Sequence, residues 1–138
     1  MENFGAKQTD NTTPQRTVER RQTLWRWAFG TCAAAVLALA LLPRVPPMVS
    51  TGWDKGNHML AFATLAVLGL WAYPRRSALL LAGLLAYGGL IEILQSFTPN
   101  RVAEWPDLVA DALGLLLGWG LVRALDRFSP VKANQRKR

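Results

Sequence analysis

Four apolar blocks govern what this chain can fold into. They run from Leu24 to Pro43, Asn57 to Tyr73, Ser77 to Gln95 and Asp107 to Leu125, and each approaches the ~20 residues that carry a helix across a bilayer. A core helix of a soluble protein shows a polar stripe every third or fourth position, whereas Val36 to Leu42 and Leu79 to Leu85 show none. At 138 residues and 51% hydrophobic content the chain would otherwise be one modest soluble domain. The blocks rule that out. The expected fold is all-α, an integral membrane four-helix bundle.

A net charge of +7 raises the question of nucleic acid, and the placement of charge answers it. If the four spans alternate direction, all of the 16 Lys and Arg except Arg44, Lys55 and Arg101 fall on one side: before span one, between spans two and three, or at and after the end of span four. This is the positive-inside bias, and it predicts that both termini face the cytoplasm (N-in/C-in) in a multi-pass membrane protein. The basic run Lys132, Arg136, Lys137 and Arg138 then anchors topology and can touch anionic lipid. No stacking surface accompanies it, so nucleic acid is not an expected partner. The acids divide the other way. Asp54, Glu92, Glu104, Asp107 and Asp111 all fall toward the outer face. Carboxylates do little to set topology, so their clustering asks for another explanation.

The domain boundaries are chemically marked. Residues 1–23 are polar and expected to form a disordered cytoplasmic tail; 24–125 form the membrane domain, and 126–138 a basic cytoplasmic tail. Pro43, Pro46 and Pro47 end the first span. Tyr73-Pro74 ends the second, and Thr98-Pro99-Asn100 breaks the third. Pro106 suits the first turn of the fourth, where its missing N–H costs nothing. Trp53 and Trp105 are expected at the outer interface, and Trp25, Trp27, Trp71 and Tyr73 at the inner one. The basic leader before Trp27 to Leu42 faintly resembles a signal peptide, but the prolines give no clean cleavage site, and an uncleaved span is the preferred reading. Cys32 is the only cysteine and is read as inert packing.

The polar residues inside or beside the blocks carry the functional signal, because each charge at the centre of a span costs roughly 2.5–3.5 kcal/mol. Asp54 and His58 are spaced i,i+4 and would share a helix face. That pair is either a carboxylate orienting a base or ligand, or a cap followed by an interfacial His. Lys55 is either an interface anchor or part of a site. Glu92 lies within apolar sequence and shares a face with Gly88, Gly89 and Gln95, so it should point into the bundle toward a partner helix. Asp107, Asp111, Gly114 and Gly118 are spaced four, three and four apart and fall on one stripe. The glycines provide a tight helix contact, within the chain or in a homo-oligomer. The acids above them can share a proton, bind a cation or hold a basic partner. Arg101 is the natural counter-charge, for a carboxylate or for a phosphate on a lipid carrier.

The ordered series Asp54-Lys55-x-x-His58-x-x-x-Phe62-x-x-Leu65, Ile91-Glu92-x-x-Gln95 and Arg101-x-x-Glu104-x-x-Asp107-x-x-x-Asp111-x-x-Gly114-x-x-x-Gly118 resembles the VanZ-like family. The resemblance covers about residues 53–118. It implies a small bacterial membrane protein of the cell envelope, and the family's founding member is associated with resistance to the glycopeptide teicoplanin. The family's polar positions map onto Lys55, His58, Glu92, Gln95, Arg101 and Asp107. One departure is Asp111, where the family commonly has Asn.

Three functions compete on this basis. The preferred one is binding of an anionic lipid-linked or peptidoglycan-related group at the outer leaflet through Lys55, His58, Glu92, Gln95, Arg101, Asp107 and Asp111. The second is a membrane hydrolase or transferase with His58, Glu92 or Asp107 as catalytic acid or base. The third is a structural or accessory subunit. No serine elbow or phosphate-cradling loop supports a particular enzyme class. A single His argues against a conventional zinc site, so no metal or cofactor is expected, although an oxygen-ligated divalent cation stays open.

Overall fold

The computed structural model describes residues 12–42, 54–98 and 104–128. These form four helices in chain order: α1 Thr12–Leu41, α2 Asp54–Ala72, α3 Ser77–Ser96 and α4 Trp105–Phe128. The fold is all-α, as expected. Arg101, the proline-rich segment after Leu42, Trp53, residues 1–11 and the basic tail from 129 onward lie outside the described residues, as does the side chain of Asp54.

The helix ends follow from local chemistry. Pro74 follows the last turn of α2, and Arg76 N–H donates to Tyr73 O at 3.0 Å, closing a tight turn into α3. At the other end of α3, Phe97 and Thr98 N–H groups donate to Leu94 O and Gln95 O. Pro106 sits in the first turn of α4, and Asp107 N–H reaches back to Glu104 O at 3.0 Å. One boundary differs from expectation. Residues 12–23, anticipated as tail, are helical and extend α1. Gln, Arg and Glu in this stretch are good helix formers, and an apolar span already nucleates the helix beyond them.

The bundle is built around α2. This helix contacts α1, α3 and α4, and its contact with α4 is the most extensive; α1 and α4 do not meet. Phe62, Leu65, Ala66 and Ala72 of α2 are almost wholly enclosed, and with Leu84, Ile91 and Leu115 most of them make up the core. The α2–α4 approach depends on two glycines. A side chain at Gly114 would collide with the Met59 carbonyl, and a Cβ at Gly118 would stand 2.5 Å from Ala63 O. The small-residue stripe therefore serves a contact within the chain.

Segments of α1 (Thr17–Leu41), α3 and α4 are long and apolar enough to cross a membrane. Their outer surfaces carry exposed leucines, among them Leu79, Leu90, Leu116 and Leu121, the pattern of a lipid-facing surface. The second apolar block is different. α2 falls outside that set because its opening turns hold Asp54, Lys55, Asn57 and His58. At 1.5 Å per residue it is still roughly 28 Å long, close to the ~30 Å of a hydrocarbon core. Three neighbouring helices shield it, so its polar turns need not face lipid.

Candidate functional site

The start of α2, the end of α3 and the start of α4 lie at the same end of the bundle, and the polar side chains of all three meet there. On α4, Asp107 and Asp111 are one turn apart, above the glycine contact, and both are buried. On α3, Glu92 is buried one turn from Gly88. On α2, Lys55 and His58 face the two acids of α4. His58 Nδ1 lies 3.0 Å from Asp111 Oδ1. Lys55 Nζ donates to Glu104 Oε2 at 2.9 Å and stands 3.4 Å from Asp107 Oδ1. The backbone N–H of Glu104 donates to Glu92 Oε2 at 3.0 Å.

This geometry sets what each group can do. An ionised Asp111 only accepts hydrogen bonds, so it fixes the proton on Nδ1 of His58 and leaves Nε2 for a base or a ligand. Among the described side chains, His58 is thus partnered by a residue 53 positions away on another helix. Asp111 itself is 1% exposed, and its second oxygen faces Gly88, where any Cβ would strike it. Glycine at 88 makes room for the carboxylate. Among the described residues, three buried oxygens are left without a hydrogen-bond partner: Glu92 Oε1, Asp107 Oδ1 and Asp111 Oδ2. Buried carboxylate oxygens are normally satisfied, so three orphans in one cluster mark a place prepared for something else. A ring nitrogen of His58 and one oxygen each from Glu92 and Asp107 lie within 4.8 Å of one another.

Of the residues anticipated as ligand-binding, Lys55, His58, Glu92, Asp107 and Asp111 converge. Gln95 does not join them. Its amide donates to Ala40 O at 3.0 Å, one of the last carbonyls of α1, which no residue of its own helix can satisfy. Gln95 therefore fastens α3 to the end of α1. Arg101 lies outside the described residues. Glu104 is the residue that sequence reasoning left out of the site; it bridges Lys55 and Glu92, half of that through its main chain, and its position three before Asp107 was the available clue.

The opposite end of the bundle has a different character. Arg26, Arg75 and Arg76 line a crevice of about 400 Å³ with Gln22 and Tyr73, and no carboxylate lines it. Trp25 packs on Trp71 with ring centroids 4.7 Å apart, and Arg26 lies over the Tyr73 ring. Guanidinium groups thus line the crevice at this end, whereas carboxylates predominate in the cluster at the other.

Against known proteins, the model of the VanZ/LLP1 family matches residues 5–126. The chain belongs to the VanZ-like family. With its apolar, membrane-capable helices it is a VanZ-like membrane protein. No curated protein and no solved structure matches it. The family match includes all four helices almost to the end of α4, so the converging polar residues sit within the part of the chain that defines membership in the VanZ-like family.

Proposed function

We propose that this VanZ-like protein spans the bacterial inner membrane with both termini in the cytoplasm, and that its carboxylate–imidazole pocket opens at the outer leaflet. There it binds the anionic headgroup of a lipid-linked or peptidoglycan-related molecule. Lys55 meets the headgroup at the mouth, and His58, held by Asp111, meets it inside. The observation that carries the reading is the convergence of Lys55 and His58 of α2 with the polar ends of α3 and α4 at one end of the bundle. The three buried carboxylate oxygens beside them, which lack a hydrogen-bond partner among the described residues, count against a cluster that serves only to hold helices together. The orientation draws support from the Arg26, Arg75 and Arg76 end, which is the end that the positive-inside rule retains in the cytoplasm. Teicoplanin susceptibility is the cellular trait expected to change when the pocket is lost.

Native mass spectrometry of gently purified protein tests this. Wild type should carry a phosphate-bearing lipid that Lys55→Ala and His58→Ala no longer retain, with helix content and melting temperature preserved. A folded wild-type protein that carries no anionic lipid contradicts the proposal.

A second reading has one observation in its favour. The His58–Asp111 bond is the arrangement by which a carboxylate orients a general base, so the same pocket would also suit hydrolysis or transfer on the bound headgroup. Turnover of a lipid-linked precursor that is lost in His58→Gln would establish it.

A further inference from the structure

The pocket is acidic, so an anion bound there needs positive charge beyond that of Lys55. Among the described residues, the carboxylates of Glu92, Glu104, Asp107 and Asp111 face only Lys55 and His58 as cationic or potentially cationic groups. Lys55 is taken up at the rim by Glu104, and it reaches Asp107 Oδ1 at 3.4 Å without forming a hydrogen bond. Glu92 Oε1 and Asp111 Oδ2 have no hydrogen-bond partner among the described residues. Several uncompensated carboxylates in a low-dielectric interior are strongly disfavoured, and a bound cation is one standard way to offset them.

The donor geometry suits such an ion. The ligand atoms of a cation bound at about 2.2 Å lie no more than about 4.4 Å apart. A ring nitrogen of His58 and one oxygen each from Glu92 and Asp107 already lie within 4.8 Å of one another, so small side-chain rotations bring them into range. Asp111 completes the arrangement from behind. A metal-bound His normally gives its other N–H to a carboxylate, which fixes the ring and raises its basicity, and the His58–Asp111 bond has that form. Glu92 and Asp107 are 8% and 5% exposed, each with an orphaned oxygen.

We infer that His58, Glu92 and Asp107 hold a divalent cation, which neutralises the pocket and bridges its carboxylates to the anionic headgroup. One imidazole and two carboxylates favour an ion such as Mn²⁺, with remaining positions open to water or to a phosphate oxygen. This bridging role rests on the headgroup-binding reading above; cation binding itself does not.

The experiment uses the full chain in detergent, stripped with a chelator and titrated with Mn²⁺, with loss of the free-ion electron paramagnetic resonance signal as readout. Wild type should take up one Mn²⁺ per chain. Glu92→Gln and Asp107→Asn should each weaken binding at least about tenfold, and Leu116→Ala on the exposed outer surface of α4 should leave it intact. If one of the acid variants fails to fold, His58→Gln takes its place. Uptake no better than in the Glu92→Gln/Asp107→Asn double variant overturns the inference. Lipid retention is followed in parallel. Lipid that persists in fully chelated protein contradicts bridging but leaves headgroup binding standing, whereas Mn²⁺ uptake with no co-purifying lipid supports the cation site and counts against the headgroup.

Discussion

Gly88 of α3 and Asp111 of α4 meet so closely that a Cβ at position 88 would strike the aspartate's Oδ2, with the Phe62 ring only 3.2 Å away on the other side. The carboxylate that orients His58 is thus seated in a notch that only glycine leaves open. Gly88→Ala should cost ~1–3 kcal/mol through overpacking and should displace Asp111 from His58. Thermal melting reads the first effect. Loss of lipid from protein that remains folded reads the second. An alanine variant with unchanged stability and unchanged lipid would show that the notch has no such role.

Asp111 stands where the resemblance to the VanZ-like family implies Asn, and its contact with His58 can be made by either side chain. The oxygen 3.0 Å from His58 Nδ1 exists in either side chain, and an amide oxygen also accepts. Asp111→Asn should therefore keep the fold and most of the binding, while Asp111→Leu should abolish binding by releasing the imidazole. Comparing the two by native mass spectrometry separates the hydrogen bond from the charge. An Asn variant as defective as Leu would mean that charge is what the pocket needs.

Gln95 predicts a contrasting phenotype. Its amide holds Ala40 O of α1, so Gln95→Ala should lower stability by roughly 1 kcal/mol, the ordinary worth of one such bond, and leave lipid occupancy unchanged. A melting curve and a lipid assay on the same sample check both halves. Loss of lipid without loss of stability would return Gln95 to the site.

The α2–α4 seam makes a stability prediction independent of the site. Gly118→Leu forces a large side chain against Ala63 O and the Ala66 methyl and should cost more than the ~1–3 kcal/mol typical of moderate overpacking. Expression and melting temperature should both fall, whereas the same change at Gly120, which faces open space, should be tolerated.

Much of this was legible in the sequence because helical spacing is local information. Asp107, Asp111, Gly114 and Gly118 recur at four, three and four residues and do share the face that packs on α2. Glu92 was recognisable because a lone carboxylate among Ile and Leu must turn inward. Partners across helices were not legible. His58 engages Asp111, 53 positions away, because α2 and α4 approach to glycine distance at that level. Gln95 shares a helix face with Glu92 on paper, but the neighbouring end of α1 claims it. Glu104 acts partly through its backbone N–H, which no side-chain pattern reports. The second apolar block reads as a span like the others, although its central position, which frees its first turns to be polar, appears only when the other three helices are placed around it.

The central claim is that the polar groups of three helices share one pocket opening to the outer face of the membrane. Site-directed thiol labelling tests it most directly, in a Cys32→Ala background with Lys55→Cys, Glu104→Cys and Arg75→Cys introduced singly. In intact cells an impermeant thiol reagent should modify Lys55→Cys and Glu104→Cys, and Arg75→Cys only after the membrane is opened. Labelling of Lys55→Cys and Glu104→Cys from opposite sides, or of Arg75→Cys together with them in intact cells, would contradict the account.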